Sequence, residues 1–216
     1  MRGTLGIVLA GGAGLRLGLE VPKAEAVVHG MTLRDRALET LAAVCDAVVL
    51  VSPRARVAAA AIGDVRWIED EGEGPLSGIV AGLGVDTFDR ALVLGVDFPL
   101  VRPPLLHALL DTLERSRAAA VMCAPRGIPQ PLVAAYAPSA AEALQRAFAA
   151  GERSITRAMV VMGAAVVTDD FIITHGGGLD ELMNVNTPED IAAAGRALAG
   201  RARYDGAHDL APEDRA

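Results

Sequence analysis

The feature that most narrows the fold is an alternation along the chain. TLGIVLA, TLRDRALETLAAV, DAVVLVS, ARVAAAAI, VRWIE, LSGIVAGLGV and RALVLGV read in order as strand, helix, strand, helix, strand, helix, strand. That order predicts a mostly parallel sheet with helices on both faces. PPLLHALLDTLERS is a further helix, its leading prolines suited to a first turn, and AAAVMCA a further buried strand. The rhythm then loosens. QPLVAAYA reads as a strand, SAAEALQRAFAAG as a helix ending at Gly151, and GAAVVTDD as a last strand. This predicts a small C-terminal lobe, or an antiparallel member of the sheet, packed on the first half. TPEDIAAAGRALAG is a helix with Thr187 as N-cap, Pro188 in its first turn and acids beside the positive dipole end. The polar, aperiodic RARYDGAHDLAPEDRA predicts a disordered tail over residues 201–216, after one domain over residues 1–200.

Composition removes several classes of function. With 216 residues, 52% of them hydrophobic, the chain can bury one core. Its formal net charge is −7, with acids and arginines interspersed. No basic face is offered to a nucleic acid or an anionic membrane. No apolar run approaches the roughly 20 residues of a membrane span, and MRGTLG opens no signal peptide. A cytoplasmic protein is expected. Cys45 and Cys123 lie far apart inside apolar runs, which suggests two buried thiols and neither a disulfide nor a metal knuckle.

The chemistry concentrates in LAGGAGLRLGLEVPK, from Leu9 to Lys23, where a glycine-rich loop after an apolar run carries the only lysine in the chain. Glycines leaving a parallel strand let successive backbone N–H groups approach phosphate oxygens. Gly11, Gly12, Gly14 and Gly18 are placed for this. The spacing excludes the two common phosphate loops. A dinucleotide fingerprint counted from Gly12 meets Leu17 where its last glycine belongs, and a P-loop needs Gly-Lys-Ser/Thr where this chain has Pro22, Lys23 and Ala24. What remains is a loop able to bring Arg16 and Lys23 to a triphosphate. Taken alone, the same loop is equally a tight turn with a surface arginine and lysine.

Three other stretches change that balance. The loop resembles the signature of nucleotidyltransferases that activate a phosphorylated substrate with an NTP. IEDEGEGPLSGIVAGL (Ile68–Leu83), LVLGVDFPLV and NVNTPED (Asn184–Asp190) resemble, in the same order, further motifs of the molybdenum cofactor guanylyltransferases. Asn184 and Asn186 are the only two asparagines in the chain. The resemblance implies a single-domain, Rossmann-like nucleotidyltransferase fold with a small acceptor-binding C-terminal lobe. It implies transfer of GMP from GTP to the phosphate of molybdopterin, with pyrophosphate released. In that scheme Lys23 and Arg16 hold the leaving phosphates and Asp97 binds Mg²⁺, with Asn186 as its partner. Backbone groups of Leu9, Ala10 and Gly11 lie along the base, Asp70 lies near the nucleoside, and Gly12 and Gly78 also bind the nucleotide. Arg153, Asn184 and Asn186 face the acceptor, with Pro129, Gln130 and Pro131 along the same cleft. An acceptor phosphate is already ionised at neutral pH, so no dedicated general base is required. The implied partners are GTP and a molybdopterin-type acceptor, with transient contact to enzymes that receive the cofactor. Two departures stand out. Val21 and Pro22 precede the lysine where the family commonly has aspartate, and Gly95 and Val96 precede Asp97 where small polar residues are common. A cytidylyl- or uridylyltransferase acting on a sugar phosphate, or a nucleotide-binding protein without turnover, are the alternatives.

Overall fold

The chain builds its sheet outwards from a fully buried interior strand. The computed structural model describes residues 3–11, 21–53, 65–70, 73–85 and 87–208, the last seven by backbone alone. Thr4–Leu9 (β1) is buried at every position. After a short 3-10 turn at Lys23–Glu25 come two-residue strands, Val27–Val28 (β2) and Met31–Thr32 (β3), paired antiparallel. Leu33–Ala42 (α1) starts where the Thr32 hydroxyl accepts the Asp35 N–H at 3.0 Å. Ala47–Ser52 (β4), Arg66–Glu69 (β5), Pro75–Leu83 (α2), Arg90–Gly95 (β6) and Pro103–Ser116 (α3) complete the first half. Ala120–Cys123 (β7), Gln130–Tyr136 (β8), Pro138–Ala149 (α4), Ile155–Val161 (α5), Ala165–Val167 (β9), Asp169–Gly176 (α6) and Pro188–His208 (α7) form the second.

One seven-stranded sheet runs through both halves in the order β5-β4-β1-β6-β8-β7-β9. β1 pairs parallel with β4 on one side and β6 on the other, and β4 with β5. β8 is the antiparallel member, between β6 and β7. Strand alternation divides the core between the faces. Leu5, Ile7 and Leu9 point with Val49, Val51 and Val93 toward α2, α4 and α5, while Val8, Leu50, Leu92 and Leu94 point toward α1, α3, α6 and α7. The expected C-terminal region shares this core, since Ile172, Leu182, Val185 and Ala194 belong to the same buried cluster as Val8 and Leu94.

Several expectations need amendment. The segment ARVAAAAI lies outside the described residues. The β2–β3 pair, α5 and α6 were not anticipated. In GAAVVTDD the strand stops at Val167, because Asp169 and Asp170 enter the first turn of α6, where acids suit the positive end of the dipole. The disordered tail was expected from residue 201, but α7 continues to His208. Its extension is anchored by Arg201, which donates to the Leu100 carbonyl at 2.8 Å and to Asp180 at 3.1 Å. Cys123 is buried and Cys45 only partly so, and burial pushes both thiols up to about 12. Among the described residues no helix is long and apolar enough to cross a membrane.

Helix α2 lies so close to the sheet that Gly82 has no room for a side chain. A Cβ there would stand 2.7 Å from Ile7 Cγ2, a methyl of a β-branched residue with no exposure. Gly82→Val should therefore cost about 1–3 kcal/mol of overpacking, read as a lower urea midpoint at unchanged slope.

Candidate active site

The site follows from the strand order. The chain builds β1, moves outwards to β4 and β5, then crosses back to β6 on the other side of β1. This reversal opens a crevice at the carboxyl ends of the parallel strands, the position where open α/β sheets bind ligands. A cleft of about 300 Å³ lies there, with Leu9 and Gly11 after β1, Pro53 after β4, Asp70 after β5 and Asp97 after β6 in its wall. Gly74, Pro75 and Gly78 add the amino end of α2. Leu132 of β8 closes the far side, which it reaches because β8 runs opposite to β6.

Two glycines set the width of the crevice. A Cβ on Gly78 would stand 3.1 Å from Asp70 Oδ2 and 3.2 Å from Leu9 Cδ2. A Cβ on Gly11 would stand 3.7 Å from the same oxygen. The Asp70 carboxylate thus sits between the strand end and the helix start, where a ribose or base donor can reach it.

The polar centre is a closed ring of four side chains. Lys23 Nζ donates to Asn186 Oδ1 at 2.8 Å, Asn186 Nδ2 to Asn184 Oδ1 at 2.6 Å, and Asn184 Nδ2 to Asp97 Oδ2 at 2.9 Å. Asp97 Oδ2 lies 3.6 Å from Lys23 Nζ, completing the circuit, with the lysine side chain 8% and the aspartate side chain 16% exposed. The backbone fastens the same residues, for the Val185 N–H donates to the Asp97 carbonyl at 2.8 Å. Lys23 is delivered by its 3-10 turn, which is pinned to α1 by the ion pair of Glu25 with the buried Arg34. Asn184 and Asn186 stand just ahead of α7. There Asp190 Oδ2 accepts the N–H groups of Asn186 at 2.9 Å and Thr187 at 2.8 Å, while Thr187 Oγ1 accepts the Asp190 N–H at 3.2 Å. The Asn186 and Thr187 amides and the Lys23 charge hold the Asp190 carboxyl below its ordinary 3.8.

Most of the residues singled out in the sequence converge here. Leu9, Gly11, Lys23, Asp70, Gly78, Asp97 and Asn186 line the cleft, and Asn184 ties Asp97 to Asn186. Ala10 is buried behind the wall, its N–H donating to Val51 at 2.9 Å. Gly12 and Arg16 lie outside the described residues. Arg153 is not in the cleft wall. Its guanidinium pairs with Glu73 at 2.9 Å, donates to the Phe148 and Glu152 carbonyls and lies 4.2 Å over the Phe148 ring. Pro129, Gln130 and Pro131 also stand outside the wall, and their neighbour Leu132 takes the position instead. Pro53, Gly74, Pro75, Val96 and Leu132 were missed. Pro53 directly follows an apolar strand run and Val96 ends one, a signal that was available.

No group of three or more His, Cys, Asp or Glu side chains gathers to hold a metal among the described residues. Among the described residues Asp97 is the one carboxylate in the ring. That fits Mg²⁺, which takes one or two carboxylates and fills its remaining positions with water and substrate phosphates. Asp97 Oδ1 receives no hydrogen bond among the described residues, so a lone pair is open on the same carboxylate.

Comparison with known proteins gives one family. Residues 6–164 match the family model described as the MobA-like NTP transferase domain. The chain is 33% identical over 193 residues to a molybdenum cofactor guanylyltransferase of Acidiphilium cryptum, covering 87% of this chain and 92% of that one. It is 31% identical over 189 residues to one of Pseudomonas aeruginosa, covering 86% and 91%. Among solved structures, molybdopterin-guanine dinucleotide biosynthesis protein A from Archaeoglobus fulgidus superposes with a TM-score of 0.78 at 28% identity, covering 91% and 99%. The fold alone is shared with 2-C-methyl-D-erythritol 4-phosphate cytidylyltransferase from Thermus thermophilus, at a TM-score of 0.66, 19% identity and coverage of 93% and 100%.

A Cβ on Gly95 would fall 2.4 Å from Asp97 Oδ1, the free end of a side chain, and 3.2 Å from Leu132 Cβ and Cδ1 on β8, so Gly95→Ala should turn the carboxylate out of the ring while Leu132 gives by a few tenths of an ångström. Turnover should fall at least tenfold while the melting temperature moves by only a few degrees. The depressed Asp190 carboxyl stabilises the native state in full above pH 3.8, its ordinary value, and that contribution is lost as pH falls through the lower folded value. Asp190→Asn should accordingly be less stable than wild type at neutral pH, with the gap narrowing only below pH 3.8 in a urea series.

Proposed function

The chain belongs to the MobA-like NTP transferase family, and from that premise we infer that it moves GMP from GTP onto the phosphate of molybdopterin, releasing pyrophosphate. The single observation that carries this reading is the ring of Lys23, Asn186, Asn184 and Asp97, set at the switch point of the sheet beside Asp70. An acceptor phosphate oxygen attacks the α-phosphorus of GTP, and the bond to the β-phosphate oxygen breaks. No proton must be removed from the nucleophile, so the residues have to position the reactants and balance charge.

Lys23 suits the leaving pyrophosphate. It is a point charge on a flexible stem, and transferring it from Asn186 and Asp97 to phosphate oxygens exchanges one set of charge-assisted bonds for another. Arg16 joins it in this scheme. The cleft between Leu9, Gly11 and Gly78 takes the guanosine, with the Asp70 carboxylate accepting from it. Asp97 would hold Mg²⁺, and the Asn186 carboxamide oxygen becomes available to the same ion once Lys23 leaves it. Bound there, the ion would neutralise charge developing on the α-phosphate. Asn184 keeps Asp97 oriented and faces the acceptor with Asn186. Arg153 serves the acceptor by exchanging its Glu73 partner for the incoming anion, while its Nη1 keeps the Phe148 and Glu152 carbonyls. In this reading the protein works in the cytosol and its product passes by transient contact to the enzymes that use it.

Pyrophosphate release measured with GTP and CTP in parallel, with molybdopterin and Mg²⁺ present, tests this reading. GTP-dependent release is expected; a preference for CTP moves the protein to the cytidylyltransferases, and tight GTP binding without release makes it a non-catalytic binder. Lys23→Ala should weaken GTP binding about ten- to a hundredfold, the loss of one charge-assisted bond of roughly 1.5–3 kcal/mol. Asp97→Asn should lower turnover far more than it lowers GTP affinity measured without metal, because its contribution grows in the transition state.

A further inference from the structure

Outside the ring, a buried carboxylate calls for a reason. Glu181 is completely buried in the 3-10 turn Leu179–Leu182, and a charge in that position is costly unless paired. Its partner is Arg102, the residue preceding α3. Arg102 donates to Glu181 through Nε and, more weakly, through its backbone N–H at 3.4 Å, while Nη2 donates to the Gly176 carbonyl. The stretch His175-Gly176-Gly177-Gly178, unassigned by any nucleotide chemistry, makes space for this pair. A Cβ on Gly176 would stand 2.9 Å from Glu181 Oε2, and one on Gly177, at φ +87°, would stand 2.3 Å from Arg102 Nη2.

The two segments joined here are the two that meet in the ring. Residues 97–102 and 181–186 run antiparallel, with Asp97 held by Asn184 and Val185 at one end and Arg102 held by Glu181 at the other. Arg201 adds a third tie, on Leu100 and Asp180. Apolar packing already holds this region to the core through Ile172, Leu182 and Val185, but such packing fixes distance better than register. A slip of one residue would set Val185 against the Asp97 carboxylate and turn the asparagine away. A directional, two-donor ion pair forbids that slip.

We propose that Arg102 and Glu181 are positioning residues, which set the register of the Asn184–Asn186 segment against the Asp97 loop and so hold the ring in the geometry that turnover requires. The kinetic half of this proposal rests on the reaction inferred above; the geometric half does not.

The test uses the full-length protein labelled with ¹⁵N-asparagine. Asn184 and Asn186 are the only asparagines, so their two side-chain amide pairs report the ring directly. Glu181→Gln is the nearly isosteric variant, and Arg102→Lys, at a side chain 46% exposed, is the variant expected to fold without difficulty. In both, the side-chain amide resonances should move toward those of free carboxamides. The kcat for pyrophosphate release should fall about 10- to 100-fold, while GTP affinity measured without metal stays within about twofold. Folded variants with unchanged asparagine signals overturn the proposal, as do losses of kcat and GTP affinity in equal proportion. If wild type releases no pyrophosphate from GTP, the inferred reaction falls, and the amide signals still decide whether the pair sets the ring.

Discussion

A carboxylate and an ammonium, 3.6 Å apart and largely withdrawn from water, join three distant parts of this chain. Lys23 comes from a turn fastened to α1, Asp97 from the end of the central strand β6, and the asparagines that link them from the approach to α7. Neither charge is sheltered by its own neighbours in sequence. Each depends on the sheet having closed in the observed order, and the stability of the pair is therefore a consequence of the fold as well as a preparation for its chemistry. A ring of hydrogen bonds of this kind also satisfies itself, since each of its four side chains finds a partner in the next.

The fold was legible where burial is continuous. Runs such as GIVL and LVLG are apolar on both faces because helices cover both faces, and helices of ten or more residues carry their own periodicity. Elements without such a signal were lost. Val27–Val28 and Met31–Thr32 are two residues each, too short for any alternation to register. Helix α6 opens with Asp169 and Asp170, which look like a loop until their place beside the helix dipole is known. Residues 201–208 look like a tail until Arg201 is seen to reach Leu100.

The chemistry of the site was legible through rarity. One lysine and two asparagines in 216 residues, each within a recognisable motif, meet within hydrogen-bonding distance. Common residue types gave no such warning. Arg153 is one of 19 arginines, and its partners Phe148 and Glu73 decide where it points. Arg102 and Glu181 lie 79 positions apart, and only the antiparallel passage of two irregular segments brings them together. The apolar wall residues are ordinary prolines and leucines whose significance is their place at strand ends.

The solitary lysine has a consequence for covalent chemistry. Every other basic side chain among the lysines and arginines is a guanidinium, which acylating and reductively alkylating reagents leave alone near neutral pH. Apart from the α-amino group, such reagents meet a single primary amine in this chain, 7% exposed and already shared between an aspartate and an asparagine. Acylation there adds one mass increment and erases the cation in the same event. The unmodified fraction at one nitrogen atom is thus a count of the molecules whose cleft still carries its charge.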